Sequence, residues 1–129
     1  MTFEYQDINS ISKSTIIENP TWEAIILHLS EINMTQKSYF ILSQGDNYVQ
    51  CAGAKAKLTV EYKSIKHYHF GLKVIDNNPA SINFSYGIIQ IKKSEQLRLI
   101  HALDIFETFY KTGLPSNVYL LNELNIIYK

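Results

Sequence analysis

Apolar residues recur at helical spacing in two segments of the chain, and the first begins directly after Asn19-Pro20. Asn19 suits an N-cap position and Pro20 the first helical position, where the missing N–H of proline costs nothing. Glu23 lies off the apolar stripe that follows. The spacing therefore predicts an amphipathic helix that starts at Pro20 and buries one face. The apolar stripe consists of Trp22, Ile25, Ile26, Leu29 and Ile32.

The second helical segment opens at Ser94 and ends at Gly113. Glu95 falls in the first turn and Lys111 in the last turn, where the helix dipole favours an acid and a cation respectively. Gly113 can adopt the left-handed conformation that closes a helix, and Pro115 cannot continue one. We therefore predict a second amphipathic helix between Ser94 and Gly113. Its buried side is predicted to contain Leu99, Ala102, Leu103, Phe106, Phe109 and Tyr110.

Between these helices the apolar period changes to two, which is typical of half-buried strands. The turn residues Gly45-Asp46-Asn47 predict a hairpin, and Gly87 predicts a bend before another strand. Residues 76–81 are interpreted as a turn cluster, because Asp, Asn, Pro and Ser concentrate there. The predicted strands cover residues 39–42, 48–52, 57–63, 68–74, 82–86, 88–91 and 117–121, with a short one near 126–128.

The order of elements is helix, run of strands, helix, strand, and this order indicates an α+β fold. We predict a mainly antiparallel sheet of about six strands with two principal helices packed on it. The 129 residues suit a single domain spanning residues 1–129. Cys51 is the single cysteine, so no intrachain disulfide can form. No apolar run suits a signal peptide or a membrane span, so we expect a cytoplasmic protein without membrane contact.

Charge is balanced over the whole chain but not along it. Twelve Lys and Arg residues offset twelve Asp and Glu residues. Residues 1–46 hold six acids and two bases, residues 47–93 hold two acids and seven bases, and residues 94–129 hold four acids and three bases. Two oppositely charged surface regions would accelerate encounter with a charged partner. If the segments interleave in space, their charges cancel instead.

Few residues are arranged for catalysis. His67 and His69 share one face of a predicted strand and could reach one metal ion, or they are a pair of surface histidines on its wet face. Asp104 and Glu107 lie three apart on the second helix, but Lys111 follows Glu107 at ordinary ion-pair spacing. The chain contains no glycine-rich phosphate loop and no known nucleophile or metalloprotease motif. We therefore predict no enzyme activity, no cofactor and no metal.

The basic segment from Lys55 to Lys73 interleaves lysines with aromatic residues, a pattern that suits single-stranded nucleic acid. Period-two alternation, however, points Tyr62, Tyr68 and Phe70 away from most of the lysines and into the core. A small nucleic-acid-binding module that uses this segment is therefore the alternative function. The tyrosines expected to stay exposed for contact with a partner are Tyr5, Tyr48 and Tyr119.

The end of the second helix reads FYKTGLPSNV from Phe109 to Val118. Together with the Asn19-Pro20-Thr21-Trp22 helix start and a hairpin with small residues at its end, here 48–53, this order resembles a family of small bacterial immunity proteins. It is the first-numbered immunity family of polymorphic toxin and contact-dependent growth inhibition systems. The pattern covers roughly residues 15–121, and Leu120 stands where many members have Trp.

The resemblance implies a cytoplasmic, non-enzymatic immunity protein. Such a protein binds the C-terminal toxin domain of a large secreted effector and blocks its active site or substrate entry. The toxins are typically nucleases or deaminases with basic clefts, so acidic side chains on the inhibitor would speed their capture. Because residues 1–46 are acidic, we predict Glu18, Glu23 and Glu31 as partner-binding residues.

Overall fold

A computed structural model describes residues 1–124 of the chain. Within that range the fold has nine strands, two α-helices and one short 3-10 helix at Lys93–Glu95. The helices are α1 (Trp22–Leu29) and α2 (Leu99–Thr112). The strands are β1 (Thr2–Gln6), β2 (Ser14–Glu18), β3 (Tyr39–Gln44), β4 (Asn47–Ala54), β5 (Lys57–Lys63), β6 (His67–Gly71), β7 (Pro79–Phe84), β8 (Gly87–Lys92) and β9 (Leu120–Glu123).

Seven of these strands form one antiparallel sheet in the order β2-β1-β3-β4-β5-β6-β9, and β7 and β8 form a separate hairpin. The predicted α+β class, with two helices and a mainly antiparallel sheet, is confirmed. The sheet is larger than predicted because β1 and β2 extend it beyond β3. Phe3 and Tyr5 of β1 are buried in the core, so the expectation that Tyr5 is exposed was wrong.

The two helices pack on one face of the sheet, and the strand register brings the large apolar side chains to that face. Leu42 of β3 pairs with Phe3 on one side and Val49 on the other, and Val49 pairs with Tyr62. Residues paired directly across neighbouring strands point their side chains to the same face of the sheet, so these four residues lie on one face. They form one hydrophobic cluster with Phe106 and other buried residues of α2.

The β7–β8 hairpin packs against β4 and β5 and supplies a second, smaller apolar contact. Ile82 of β7 is fully buried, and the rings of Tyr39 and Tyr86 lie 5.9 Å apart. The hairpin turn is fixed by Ser85, whose Oγ lies 2.6 Å from the Thr35 carbonyl oxygen. These contacts hold the hairpin to the rest of the domain.

Helix α1 begins two residues later than predicted. Thr21 is its N-cap, because the Thr21 hydroxyl accepts the N–H of Ala24 at 3.1 Å. Asn19 has a positive φ of 49° instead, so the assignment of Asn19 and Pro20 to the cap and first turn was wrong. The apolar stripe is partly confirmed. Ile25, Leu29 and Ile32 are buried, Trp22 is half-buried, and Ile26 is exposed.

Helix α2 begins at Leu99 rather than at Ser94, so Glu95 does not occupy its first turn. Ser94 and Glu95 belong to the buried 3-10 helix. The chain after this 3-10 helix is extended and forms an isolated antiparallel β-bridge with β5. In this bridge the Leu97 N–H donates to the Leu58 carbonyl at 2.7 Å, and the Leu58 N–H donates to the Leu97 carbonyl at 2.9 Å. The predicted end of the helix is confirmed, because Gly113 has φ 71° and its N–H donates to the Phe109 carbonyl.

Most strand boundaries differ from the predictions: β3 and β4 each end two residues later than predicted, and β7 ends at Phe84 rather than Tyr86. β6 ends at Gly71, and Val74 is 84% exposed. β7 starts at Pro79, inside the predicted turn cluster, and β9 covers Leu120–Glu123 rather than 117–121. The strand predicted near 126–128 lies outside the described residues. None of the helices formed by residues 1–124 has the length and apolar character needed to cross a bilayer.

Candidate functional site

A groove runs between the outer faces of α1 and α2. Trp22 and Ile26 of α1 line one side, and Leu103, Asp104 and Glu107 of α2 line the other. These positions meet because residues four apart on a helix share a face. The groove has a volume of about 300 Å³. The three apolar side chains among its lining form the floor, and the two carboxylates stand at the rim.

Contacts behind the groove fix the orientation of its side chains. The rings of Trp22 and Tyr110 stack with their centroids 5.8 Å apart, and the Tyr110 hydroxyl donates to the Pro20 carbonyl at 3.0 Å. The Tyr119 hydroxyl donates to Asp104 Oδ2 at 3.0 Å. Burial, together with this carboxylate, raises the pKa of Tyr119 to about 12. The groove is therefore preformed in the free chain.

Negative charge dominates the rim of the groove. Asp104 is exposed, and Glu107 forms an ion pair with Lys111 at 3.7 Å on the solvent-exposed helix surface. Glu23 projects from α1 beside the groove, because positions 23 and 26 are neighbours on a helix surface. The predicted solvated ion pair between Glu107 and Lys111 is confirmed. Such an exposed pair contributes little to stability, so a cation of a partner could replace Lys111 beside Glu107 at little cost.

Exposed apolar side chains extend the groove at both helices. Leu27 of α1 and Ile100 of α2 are each more than 60% exposed. Ile100 lies three and four residues before Leu103 and Asp104, on the same helix stripe. Apolar side chains ringed by charged ones are a common arrangement at protein-binding surfaces.

The three predicted partner-binding residues are all exposed, but they lie at different places. Glu18 ends the edge strand β2, Glu23 is in the first turn of α1, and Glu31 follows the last turn of α1. No ion pair of the described residues involves Glu18 or Glu23. Only Glu23 adjoins the groove, and whether any of the three binds a partner stays a prediction.

Glu31 belongs to a second cavity of about 260 Å³, lined partly by Tyr5 and Asp7. Lys37 Nζ lies 3.0 Å from Glu31 Oε1 and 4.9 Å from the centre of the Tyr5 ring. This hydrogen bond and the charge of Lys37 hold the pKa of Glu31 below its ordinary value. Because Lys37 already neutralises it, Glu31 is a weaker candidate for contact with a basic partner than Glu23.

A buried polar cluster at the other end of the sheet was not predicted from the sequence. His69 is 3% exposed, so the interpretation of His67 and His69 as a surface pair was wrong for His69. Its Nε2 lies 3.1 Å from Glu61 Oε1, and its Nδ1 lies 3.4 Å from Glu95 Oε1. Asn122 Nδ2 donates to the other oxygen of Glu95 at 2.7 Å. The cluster thus ties β5, β6, β9 and the 3-10 helix together.

Neither histidine belongs to a metal site within the described residues. Residues 1–124 contain no group of three or more His, Cys, Asp or Glu side chains placed to hold a metal ion. His67 instead packs edge-on against the ring of Tyr48, with centroids 6.4 Å apart. Cys51 is fully buried, and burial raises the pKa of its thiol, so it is a core residue as its strand position suggested.

The basic segment from Lys55 to Lys73 follows the predicted alternation. Tyr62 and Phe70 are buried on the helix-facing side of the sheet. Lys57 and Lys63, at odd positions of β5, lie on the opposite side. These aromatic rings therefore form no stacking platform beside the lysines, and nothing in this segment favours nucleic-acid binding over protein binding.

The charge asymmetry of the sequence survives folding. The strands of residues 1–46 (β2, β1 and β3) occupy one half of the sheet, and β4, β5 and β6 occupy the other, followed by β9. The strands of the acidic and of the basic segment are therefore adjacent in the sheet and do not alternate, although Lys55 of the basic segment acts on the pKa of Glu31 of the acidic one. α2 then brings Asp104 and Glu107 against α1, which adds carboxylates to the acidic segment.

Comparison with known proteins gives no family for this chain. No protein-family model matches it, and no curated protein matches it either.

Proposed function

We propose that this chain is an immunity protein that binds the C-terminal toxin domain of a large secreted effector and neutralises it by covering its active site. The toxin domain is a nuclease or a deaminase of a contact-dependent growth inhibition or related polymorphic toxin system. The protein acts by tight one-to-one occlusion, and its own side chains transform no substrate. The observation that carries this proposal is the groove between α1 and α2, with its apolar floor and acidic rim.

The groove suits a protein segment with apolar and basic side chains. Trp22, Ile26 and Leu103 would remove apolar side chains of the toxin from water, and aromatic anchors of this kind often supply much of a binding energy. Asp104 and Glu107 would face the basic rim of a nucleotide-binding cleft. The same carboxylates would compete with the phosphates of the toxin's substrate, which links binding to inhibition.

The proposal predicts that a large secreted protein is encoded immediately upstream of this chain, and the experiment uses the C-terminal domain of that protein. We expect that domain to be toxic when expressed alone, to be tolerated when this chain is co-expressed, and to purify with it in equal amounts. Ile26→Arg should weaken the complex at least tenfold, because it places a cation on the apolar floor. Ile65→Arg is the matched control, since Ile65 is a fully exposed isoleucine of the β5–β6 turn.

Charge reversal tests the acidic rim separately. Asp104→Lys with Glu107→Lys should slow association with the toxin domain, while Asp46→Lys in the exposed β3–β4 turn should leave it unchanged. Circular dichroism of each variant shows that the fold is intact. Equal binding by the Ile26 and Ile65 variants would place the interface elsewhere. Catalytic turnover by the isolated chain, abolished by one substitution, would contradict the proposed mode of action.

A further inference from the structure

Strand β2 forms one edge of the sheet, and within residues 1–124 no strand pairs with its outer side. The Asn19 N–H donates to the Met1 carbonyl at 2.8 Å, and the Asp7 N–H donates to the Lys13 carbonyl at 2.9 Å. Hydrogen-bonded pairs alternate along an antiparallel ladder, so the odd-numbered residues of β2 bond to β1. The backbone N–H and C=O groups of Ile16 and Glu18 therefore point away from the sheet.

This edge has few of the features that protect exposed strands. Natural sheet edges usually carry a lysine, a proline, a bulge or a covering loop. β2 reads STIIE and contains three successive β-branched residues, of which Ile16 is 57% exposed. Only the start of the strand is covered, because the hydroxyls of Ser10 and Ser12 donate to the Ser14 carbonyl at 2.9 and 3.0 Å.

We propose that two copies of this chain associate through antiparallel pairing of their β2 strands about a two-fold axis at Ile16. In this arrangement Ile16 of each copy donates its N–H to, and accepts an N–H from, Ile16 of the other copy. Ser14 then lies opposite Glu18 of the second copy, where its N–H can donate to the Glu18 carbonyl while its own carbonyl keeps the bonds from the Ser10 and Ser12 hydroxyls. The two exposed Ile16 side chains contact each other on the same face. The contact is isologous, so it closes at two chains.

The charges of β2 select this register. Pairing about Ile16 separates the two Glu18 residues by four positions along the ladder, roughly 14 Å. Pairing about Glu18 would place two carboxylates directly opposite each other, which is unfavourable. Pairing about Ser14 would continue into Lys13, whose φ of 64° ends the extended backbone. Pairing about Ile17 would avoid both obstacles but would set the exposed Ile16 side chain opposite the Glu18 carboxylate. The register about Ile16 joins the two exposed isoleucines and keeps the carboxylates apart, so this edge is self-complementary and fits a second copy.

Sedimentation velocity over a dilution series tests the association. We expect the wild-type mass to approach twice the chain mass as concentration rises. Ile16→Pro removes the outward N–H without removing a hydrogen bond to β1, so this variant should stay monomeric. Ile16→Thr is the matched control, because it keeps both the N–H and a β-branched side chain. A wild-type chain that stays monomeric throughout, or a dimer that persists in Ile16→Pro, would overturn the proposal.

A cysteine cross-link tests the register and does not depend on the proline variant folding. Ile16 lies at a hydrogen-bonded pair, where the opposed Cβ atoms are too far apart for an unstrained disulfide, so a short bifunctional thiol reagent should link Ile16→Cys into a dimer. Ile65→Cys is the control, because Ile65 is even more exposed (97%, against 57% for Ile16) but lies in the β5–β6 turn away from β2, so it should remain unlinked. Cys51 is buried in both variants. Equal cross-linking of the two variants would contradict the register. If the wild type is monomeric and Ile16→Pro weakens toxin binding, the edge pairs with the toxin and not with a second copy, and the proposal fails.

Discussion

Replacing Gly53 by alanine tests how closely β4 and β5 approach beneath the β7–β8 hairpin. Gly53 pairs with Leu58 of β5 and has φ +129°. A Cβ atom added to Gly53 would lie 2.6 Å from the Lys57 carbonyl oxygen and 2.9 Å from both Leu58 Cα and Ile82 Cγ2. Two of these three atoms belong to the backbone of a paired strand, so they cannot rotate away. The strands must separate or the hairpin must shift.

The expected cost combines two effects. A positive φ costs a residue other than glycine about 1–3 kcal/mol, and overpacking costs about 1–3 kcal/mol more. We therefore expect Gly53→Ala to lower the free energy of unfolding by roughly 3–5 kcal/mol, a large part of the 5–15 kcal/mol typical of a domain. Gly45 also has a positive φ, of 60°, but nothing lies within 4 Å of its added Cβ. Gly45→Ala should therefore cost only about 1–2 kcal/mol.

Urea unfolding followed by the fluorescence of Trp22, the single tryptophan, measures both variants. With a urea dependence of about 2 kcal/mol per molar, the midpoint should fall by roughly 2 M in Gly53→Ala and by roughly 0.5–1 M in Gly45→Ala. The difference between the two variants combines the steric contact with the greater backbone strain at φ +129°, because alanine tolerates the left-handed region near φ +60° better. Equal shifts in the two midpoints would refute the inference that Gly53 is enclosed by backbone.

Three further predictions concern groups with unusual surroundings. Thr59 Oγ1 is buried and makes no hydrogen bond within residues 1–124. Thr59→Val should therefore raise the free energy of unfolding by about 1 kcal/mol, measured as a higher urea midpoint. An unchanged midpoint would show that the Thr59 hydroxyl has a hydrogen-bond partner. Burial and neighbouring cations lower the pKa values of His28 and His101 below 6.5, so the unfolded chain binds their protons more readily and stability should fall as pH drops below that value. The variant with His28→Gln and His101→Gln should lose less stability than the wild type between about pH 7 and about pH 5. In an ultraviolet titration Asp104→Asn should lower the pKa of Tyr119 from about 12, yet leave it above 10, because burial remains.

The fold class could be predicted because hydrophobic periodicity is a local property. β5 matches its predicted bounds, and the Gly113 stop of α2 is where the sequence puts it. β1 was missed because Phe3 and Tyr5 alternate over only five residues, too few to distinguish a strand from a polar N-terminus. Its burial comes from pairing with β3, about 38 residues away along the chain.

The start of α2 shows long-range pairing overriding a local signal. Ser94 and Glu95 fit a helix start, but the Leu97 backbone bonds to Leu58, and this bridge keeps residues 96–98 extended.

The same limit applies to the sites. The pairing of Asp104 with Glu107 was visible as a helical spacing, whereas the position of Trp22 beside them depends on how α1 packs on α2. The cluster around His69 draws on elements as far apart in the chain as Glu61 and Asn122, so no local pattern could indicate it.

The sheet order also determines how the charged segments would act in binding. Because the strands of the acidic segment (residues 1–46) and of the basic segment (residues 47–93) lie side by side in the sheet, we expect the chain to have a charge dipole even though its net charge is zero. A dipole orients an approaching charged partner and raises the association rate while adding little to affinity. If a basic toxin domain binds at the acidic groove, its association rate should fall as salt is raised, while its dissociation rate changes little. The effect should level off once the screening length, about 8 Å at physiological salt, is shorter than the distance between the charged surfaces. If only the dissociation rate changed with salt, the ion pairs that stabilise the complex would be buried in the interface. The rim carboxylates Asp104 and Glu107 would then act as direct contacts.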